Sequence, residues 1–483
     1  MEAHKQAVSK IAASVKQFFS RGEPYRVFHG STNSTRPRLV SRANSVDISS
    51  LSNVLRVDTT SQKALIEPNV PMDRLVASTL KYGLVSPVVM EFPGITVGGA
   101  YAGTAGESSS FKYGLFDRSV TSVEMVFGDG EVVQASKDNN EDLFHDAAGT
   151  LGTLGLVTMV ELDLVEAKKF VKTTYHSQSS ISDTIGLIQQ EGIDQSHDYV
   201  DGIVFSKDHV ARQTLSSIST SKRVQEKTRF SQGPVTEFIP LPEYLFRYDR
   251  GGFLVGRSAF DYFNFPFNGL TRQFLDDFLH TRMLYEALHA STESSRYVIQ
   301  DLALPYSTAE AFIDYTAQNF DIWPLWLCPI QETPPPTFIP HIRTTPQQVD
   351  GKTISQFLNI GLWGPGPQDH AAFVSLNRDL EYRLREDFGG IKWLYAHAYY
   401  TEDEFWQVYD KTSYDKLRKK YRATTLPSVY DKVKADFEEK ARKQREDWGP
   451  LTLSFRPLGG LWGINKAIES GKYLPRCPPW RSA

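Results

Sequence analysis

Two stretches of this 483-residue chain carry residues arranged for chemistry. The first is PGITVGGAYAGTAGESSSFKYGLF, residues 93–116, with six glycines and five Ser/Thr residues between two strand-like runs. Gly98, Gly99, Gly103 and Gly106 permit positive φ and close approach of backbone to a ligand. Thr96, Thr104, Ser108, Ser109 and Ser110 add short hydroxyl donors. Together with exposed N–H groups they suit a pyrophosphate held without a large positive charge. On glycine content alone, an ordinary Gly/Ser connection reads the same way.

The second stretch is LYAHAYY, residues 394–400. As a strand, its period of two puts Tyr395, His397 and Tyr399 on one face and Leu394, Ala396 and Ala398 on the other. Three protonatable groups backed by small residues suit an active-site wall, with His397 able to donate or relay a proton near neutrality. A buried polar strand with satisfied hydrogen bonds is the competing reading.

Several elements must position these groups. Residues 119–135 read as a hairpin, because Gly128-Asp129-Gly130 separates two β-branched runs. A short helix is expected over 142–148. A second glycine loop, with Gly149, Gly152 and Gly155, then feeds a strand over 156–165. Strands are expected near 55–58 and 64–67, and a helix over 73–80 after Pro71. In the first twenty residues Val8, Ile11, Ala12, Val15, Phe18 and Phe19 keep helical spacing. That stripe is expected to pack on the glycine-loop region, with an interfacial membrane helix as the alternative.

The ordered set of glycine loop, DG hairpin, second glycine loop and strand resembles the FAD-binding domain of PCMH-type (vanillyl-alcohol-oxidase family) flavoproteins. The resemblance is sharpest to the delta-24 sterol reductases of the Diminuto/Dwarf type. It rests on TVGGAYAGTAGESSSFKYGLF together with IWPLWLCP (322–329), LYAHAYYTEDEFW (394–406) and YDKLRKKYRATTLPSVYDKV (414–433), and it runs from about residue 7 to 433. It implies an α+β fold: a two-subdomain PCMH-type FAD-binding domain over 1–167, an α+β substrate (cap) domain over 168–436 that returns to the flavin, and an extension over 437–483. It further implies FAD as cofactor, NADPH as electron donor, and reduction of an isolated carbon–carbon double bond in a sterol- or terpenoid-like substrate. An FAD-linked oxidase or dehydrogenase passing electrons to dioxygen from a small apolar substrate shares the same loops.

By the same resemblance, Gly30, Ser31, Thr32 and Asn33 form the first phosphate-side loop. Thr96, Val97, Gly98, Gly99, Gly103, Thr104, Glu107, Ser108, Ser109, Lys112 and Tyr113 hold the pyrophosphate side of FAD. Gly152, Gly155, Leu156 and Val157 lie against the ribityl chain and flavin. Tyr395, His397 and Tyr399 remain the catalytic candidates, although an acidic residue usually stands at the position of His397 in that branch.

Composition narrows the partners. A net charge of −4 implies no bulk attraction to nucleic acid. With two cysteines, no Cys-x-x-Cys pair and no HExxH, neither a disulfide framework nor a zinc site is supported, and a reducing, cytoplasmic setting is expected. No run of about eighteen apolar residues occurs, so a membrane-spanning helix is not expected, whereas peripheral membrane contact is compatible with the first helix. The aromatic-dense stretch 237–267 reads equally as core or as the wall of an apolar substrate pocket. Residues 434–447 read as a solvated charged helix. A non-enzymatic reading has the basic-aromatic segment 414–434 docking a partner.

Overall fold

The computed structural model describes residues 1–30, 42–194, 196–206, 211–215, 233–249, 279–290, 296–333, 337–340, 347–349, 352–354, 356–435 and 458–469, with a few more between 260 and 275. The chain opens with the helix Glu2–Arg21, closed at Gly22 in the left-handed conformation (φ 65°). Val8, Ile11 and Val15 are buried in a cluster with Val126, Leu156, Ala423 and Leu426, so the apolar stripe faces protein. His4 on the same helix is buried between two carboxylates, with Nδ1 2.9 Å from Glu67 and Nε2 3.0 Å from Glu124. Among the described residues no helix is long and apolar enough to cross a membrane.

Strands β1 (Arg26–Phe28) and β2 (Ser45–Asp47) pair in parallel. Downstream, β3 (Val54–Asp58), β4 (Lys63–Ile66), β5 (Leu84–Val85), β6 (Val120–Val126), β7 (Val132–Ser136), β8 (Leu156–Asp163) and β9 (Val165–Glu166) form two sheets. One is antiparallel in the order β3-β4-β8-β6-β7, and β5 pairs with β9. The β6–β7 hairpin turns at the DG pair, with Val126 opposite Val132 and Gly130 at φ 85°. The helices Met72–Leu80 and Glu141–Ala147 fall within a residue of the expected ones.

The second half is built on β10 (Phe170–Ser177), β11 (Asp201–Val204), β12 (Ala211–Leu215), β13 (Val235–Pro240), β14 (Tyr297–Leu304) and β15 (Leu325–Gln331). A small hairpin, β16 (Gln347–Val349) with β17 (Lys352–Ile354), leads into β18 (Gln356–Pro365) and β19 (Ile391–Lys392). Eight of these strands make one antiparallel sheet in the order β13-β10-β12-β11-β15-β18-β14-β19. Its central strands are nearly continuous apolar runs because both faces are covered. Leu302 and Leu304, Leu325 and Leu327, and Leu358, Ile360 and Leu362 pack on the helices Ile181–Asp194, Tyr306–Asn319 and His370–Glu386 through Ile185, Ile188, Phe312, Phe373, Leu380 and Leu384. The alternate residues, including Asp301, Trp326, Asn359 and Trp363, lie on the opposite face and border the glycine loops.

The stretch 394–400 is not a strand. β19 ends at Lys392, and the chain continues through a turn with one isolated bridge, Ala398 to Lys434. The physical reason is a buried ion pair, Lys392 Nζ to Glu381 Oε1 at 2.6 Å, that captures the backbone groups a ladder would use. The Lys392 ammonium also donates to the His397 carbonyl, and the Tyr399 N–H donates to Glu381 Oε2 at 2.8 Å. Strict alternation of faces is therefore lost.

Candidate active site

A cleft of about 360 Å³ runs along the seam between the glycine loops and the eight-stranded sheet. On the loop side, Thr96 caps the helix Val97–Ala102 by accepting the Gly99 N–H at 3.2 Å. Gly98 is pressed on Pro68: its N–H donates to the Pro68 carbonyl at 2.8 Å, and a Cβ there would stand 2.6 Å from Pro68 Cβ. The second glycine loop joins the first where the Leu151 N–H donates to Ala102 O at 3.1 Å. Gly152, at φ 71°, opens on the cleft, and a Cβ there would meet Gly155 O at 3.7 Å and Lys432 Nζ at 3.9 Å.

The chain returns to these loops near its C-terminal end. Tyr414 and Leu417, on the helix Lys411–Lys420, are buried, so this face of the basic segment is taken up internally. The Tyr414 hydroxyl bonds Thr153 Oγ1 at 2.7 Å, Arg418 donates to the Thr153 carbonyl at 3.2 Å, and Lys432 donates to the Leu151 carbonyl. The approach is closest at Gly128, where a Cβ would stand 1.8 Å from the Arg422 carbonyl oxygen. Leu426, Pro427 and Lys432 thereby join the cleft lining.

The opposite wall comes from the sheet and the turn after it: Asp301, Trp326, Ile330, Asn359, Trp363, Trp393 and Tyr395. Trp393 Nε1 donates to Asn359 Oδ1 at 2.7 Å, and Asn359 Nδ2 faces Asp301 Oδ1 at 3.4 Å. Glu91 and Phe92 border both the cleft and a small deeper recess that Tyr248 and Gly361 help line. The Phe92 ring meets Trp363 edge-on at 5.8 Å. Burial pushes the Asp301 carboxyl up to about 7, against hydrogen bonds from Asn359 and Trp363. Burial also raises Glu91 well above the usual carboxylate range, reinforced by the neighbouring Glu107.

Of the residues singled out from sequence, Thr96, Gly98, Gly99, Gly103, Thr104, Gly152, Gly155, Leu156, Val157 and Tyr395 line the cleft. Val97 is in the core beneath them. Beyond Gly106 the loop turns into the protein: Ser108 bonds Glu107, Ser109 Oγ donates to Pro87 O at 2.9 Å, and Lys112 pairs with Asp198 at 2.8 Å. Glu107 is buried, Tyr113 packs on the core, and neither lines the cleft; nor does Gly30, although His29 and Arg26 do. Ser31, Thr32 and Asn33 lie outside the described residues. His397 is half-buried away from the cleft, and Tyr399 packs against Phe373 with ring centroids 6.3 Å apart.

Sequence reasoning passed over Glu91, Asp301, Asn359, Trp363, Trp393 and Lys432. A signal existed for Asp301, the lone charge in the apolar run YVIQDLAL. In the aromatic-dense stretch, Tyr244 and Tyr248 are buried against the Arg247 guanidinium at 4.3 and 4.4 Å, and Tyr248 reaches the recess. Most of 250–267, the prolines 334–336 and nearly all of the charged segment after 435 lie outside the described residues.

Residues 5–136 match the family described as "FAD binding domain". Over 464 aligned residues the chain is 28% identical to Delta(24)-sterol reductase of Homo sapiens, covering 89% of this chain and 86% of that protein. It is likewise 28% identical to Delta(24)-sterol reductase of Pisum sativum, over 80% of this chain and 76% of the relative. Cytokinin dehydrogenase 1 of Arabidopsis thaliana is 29% identical, over 35% of this chain and 30% of its own length. With the glycine loops, the cleft and these matches together, the chain carries an FAD-binding domain of PCMH type, is similar over most of its length to the Delta(24)-sterol reductases, and is an FAD-dependent oxidoreductase.

Proposed function

We propose that this chain uses NADPH and bound FAD to reduce an isolated carbon–carbon double bond in a sterol- or terpenoid-like substrate. The observation that carries the reading is the reach of the similarity. Relatives named Delta(24)-sterol reductase align with 89% of the chain, so the alignment extends far beyond the FAD-binding segment, whereas the cytokinin dehydrogenase match stops at 35%. In this reading residues 1–167 form a two-subdomain FAD-binding domain, 168–436 a substrate domain that returns to the flavin, and 437–483 an extension.

The cleft suits the cofactor. Gly99, Gly103 and Gly152 leave one wall without side chains, and the Lys432 ammonium stands beside the open space at Gly152. Backbone N–H groups of these loops would hold the phosphates, and Lys432 would balance their charge. When bound, FAD supplies hydride chemistry at its N5 position. The chain's own contribution is shape and polarity: Phe92, Trp326, Trp363 and Trp393 exclude water and take an apolar side chain, while Asp301, Asn359 and Glu91 supply the polar groups among them.

An anaerobic visible spectrum of the purified protein tests this. The flavin band near about 450 nm should bleach with NADPH and return when a sterol with a side-chain double bond is added. A band that NADPH leaves untouched, but that an alcohol or amine bleaches and dioxygen restores, would replace the reductase with an oxidase.

A further inference from the structure

We propose that Asp301 is the acid that protonates the substrate carbon, and that Glu91, backed by Glu107, holds and resupplies its proton. The inference rests on the alkene-reductase reading above and adds the residue that the reaction still lacks. Hydride addition to an alkene needs a proton at the neighbouring carbon, and an isolated alkene offers no carbonyl to share the charge.

The site for Asp301 is built into the sheet. On β14 it lies opposite Gly361 of β18, and Gly361 lies in turn opposite Trp326 of β15. A Cβ on Gly361 would fall 2.8 Å from Asp301 Oδ1 and 3.5 Å from Trp326 Cβ, so the glycine makes room for the carboxyl between the strands. Asn359, two residues away on the same face, is oriented by the Trp393 indole so that its amide reaches Asp301. Asp301 is 8% exposed, and the exposed part borders the cleft.

Glu91 and Glu107 approach from the loop side. Glu107 Oε2 accepts the Ser108 N–H at 2.7 Å and the Ser108 hydroxyl at 3.0 Å. Its Oε1 is buried and receives no N–H or hydroxyl among the described residues. The Glu91 carboxyl lies within hydrogen-bonding reach of Glu107, and two carboxyls bond one another only when one of them carries a proton. Such a pair shares one proton as a unit. Glu91 borders the cleft and Glu107 does not, so the pair runs from the interior to the cleft wall.

The surroundings disfavour the ionised forms of Asp301 and Glu91. Tyr285, from the helix Thr281–Ala290, and Cys328, on β15, face the cluster and are held neutral by burial. Arg247 is bound to Asp201 at 2.9 Å and Lys392 to Glu381 at 2.6 Å. Among the described residues, no Lys or Arg forms an ion pair with Asp301, Glu91 or Glu107.

In the step, one alkene carbon accepts a hydride whose two electrons derive from the reduced pyridine nucleotide. The Asp301 O–H bond breaks as a C–H bond forms at the other carbon. The product leaves saturated, Asp301 is left as a carboxylate, and a proton from Glu91 restores it, with solvent resupplying the pair.

The test compares D301N and E91Q with the unaltered holoenzyme by anaerobic stopped-flow, following the two half-reactions separately. Both variants should take up FAD and be reduced by NADPH within about twofold of the parent. Reoxidation by a sterol alkene should slow by at least about 100-fold in D301N. E91Q should keep part of that rate, shift the alkaline limb of its pH profile and change its solvent deuterium isotope effect. Infrared difference spectra should show a protonated-carboxyl band that titrates near neutrality and is missing from D301N. Alkene reduction within about threefold of the parent in D301N overturns the assignment, as does a titrating band that survives the substitution. If the parent reduces no alkene at all, the function reading fails first, and the infrared band still reports whether Asp301 carries a proton.

Discussion

The loop wall and the sheet wall border one cleft, yet they are assembled on different length scales. The loop wall is local: Thr96 to Gly106 and Leu151 to Val157 each supply a short run of neighbours in sequence. The sheet wall takes Asp301, Trp326, Asn359 and Trp363 from separate positions on three strands, and Trp393 from the turn after β19. One wall is shaped by missing side chains, the other by large ones and buried acids. The difference teaches that the cofactor side of such a site can be written in a motif, whereas the substrate side is written in strand register.

The sharpest way to break the sheet wall alone is at its buried ion pair. Lys392→Met leaves Glu381 buried without its cation and should cost about 3–5 kcal/mol, read as a lower denaturation midpoint. Because Trp393 and Tyr395 follow Lys392, the variant should lose alkene turnover while its flavin absorbance persists. Adding Glu381→Gln should recover much of the stability.

Protonation gives the next effect. Asp301 holds its proton up to about pH 7 when folded, against the ordinary aspartate value of 3.8. Between those values the folded state binds the extra proton, so this group's contribution to stability falls as pH rises through the window. D301N removes the group, so its thermal midpoint should decline less between pH 4 and 8 than the parent's. The difference should approach about 4 kcal/mol above pH 7 and vanish below about pH 4. Parallel pH dependences of the parent and D301N would show that the sheet wall does not hold this proton.

The loop wall breaks at Gly128. A methyl group there collides with the Arg422 carbonyl, so Gly128→Ala should cost about 1–3 kcal/mol and push away the segment that carries Leu426, Pro427 and Lys432. The expected signature is weaker FAD retention on gel filtration, the reverse of the Lys392→Met pattern. The smallest effect belongs to His397, which stands outside the cleft. His397→Phe should change stability by less than about 1 kcal/mol and leave turnover within about threefold, whereas Tyr395→Phe, at the cleft, should change turnover more.

Legibility followed the same division. The glycine loops, the DG hairpin and the first helix's apolar stripe were readable because glycine spacing and helical period are properties of neighbouring residues. His397 and Tyr399 were grouped with Tyr395 on the assumption of an unbroken strand. Glu381, on the helix His370–Glu386 that precedes β19, ends that strand by drawing Lys392 and the Tyr399 N–H to itself. The later hydroxyls of the first loop looked like ligand donors, but Ser108 and Ser109 spend their hydrogen bonds on Glu107 and Pro87.

By itself the sequence determined the glycine wall and the mixture of helices and strands, since each depends on backbone freedom or periodicity within a few residues, and its resemblance to known flavoproteins implied FAD. Only the tertiary structure decided that Asp301 stands beside Gly361 and Trp326, that Glu91 meets Glu107, and that Lys432 closes on Leu151. Those relations depend on strand register and on the burial of charge, and burial is a property of the assembled fold that no single segment carries.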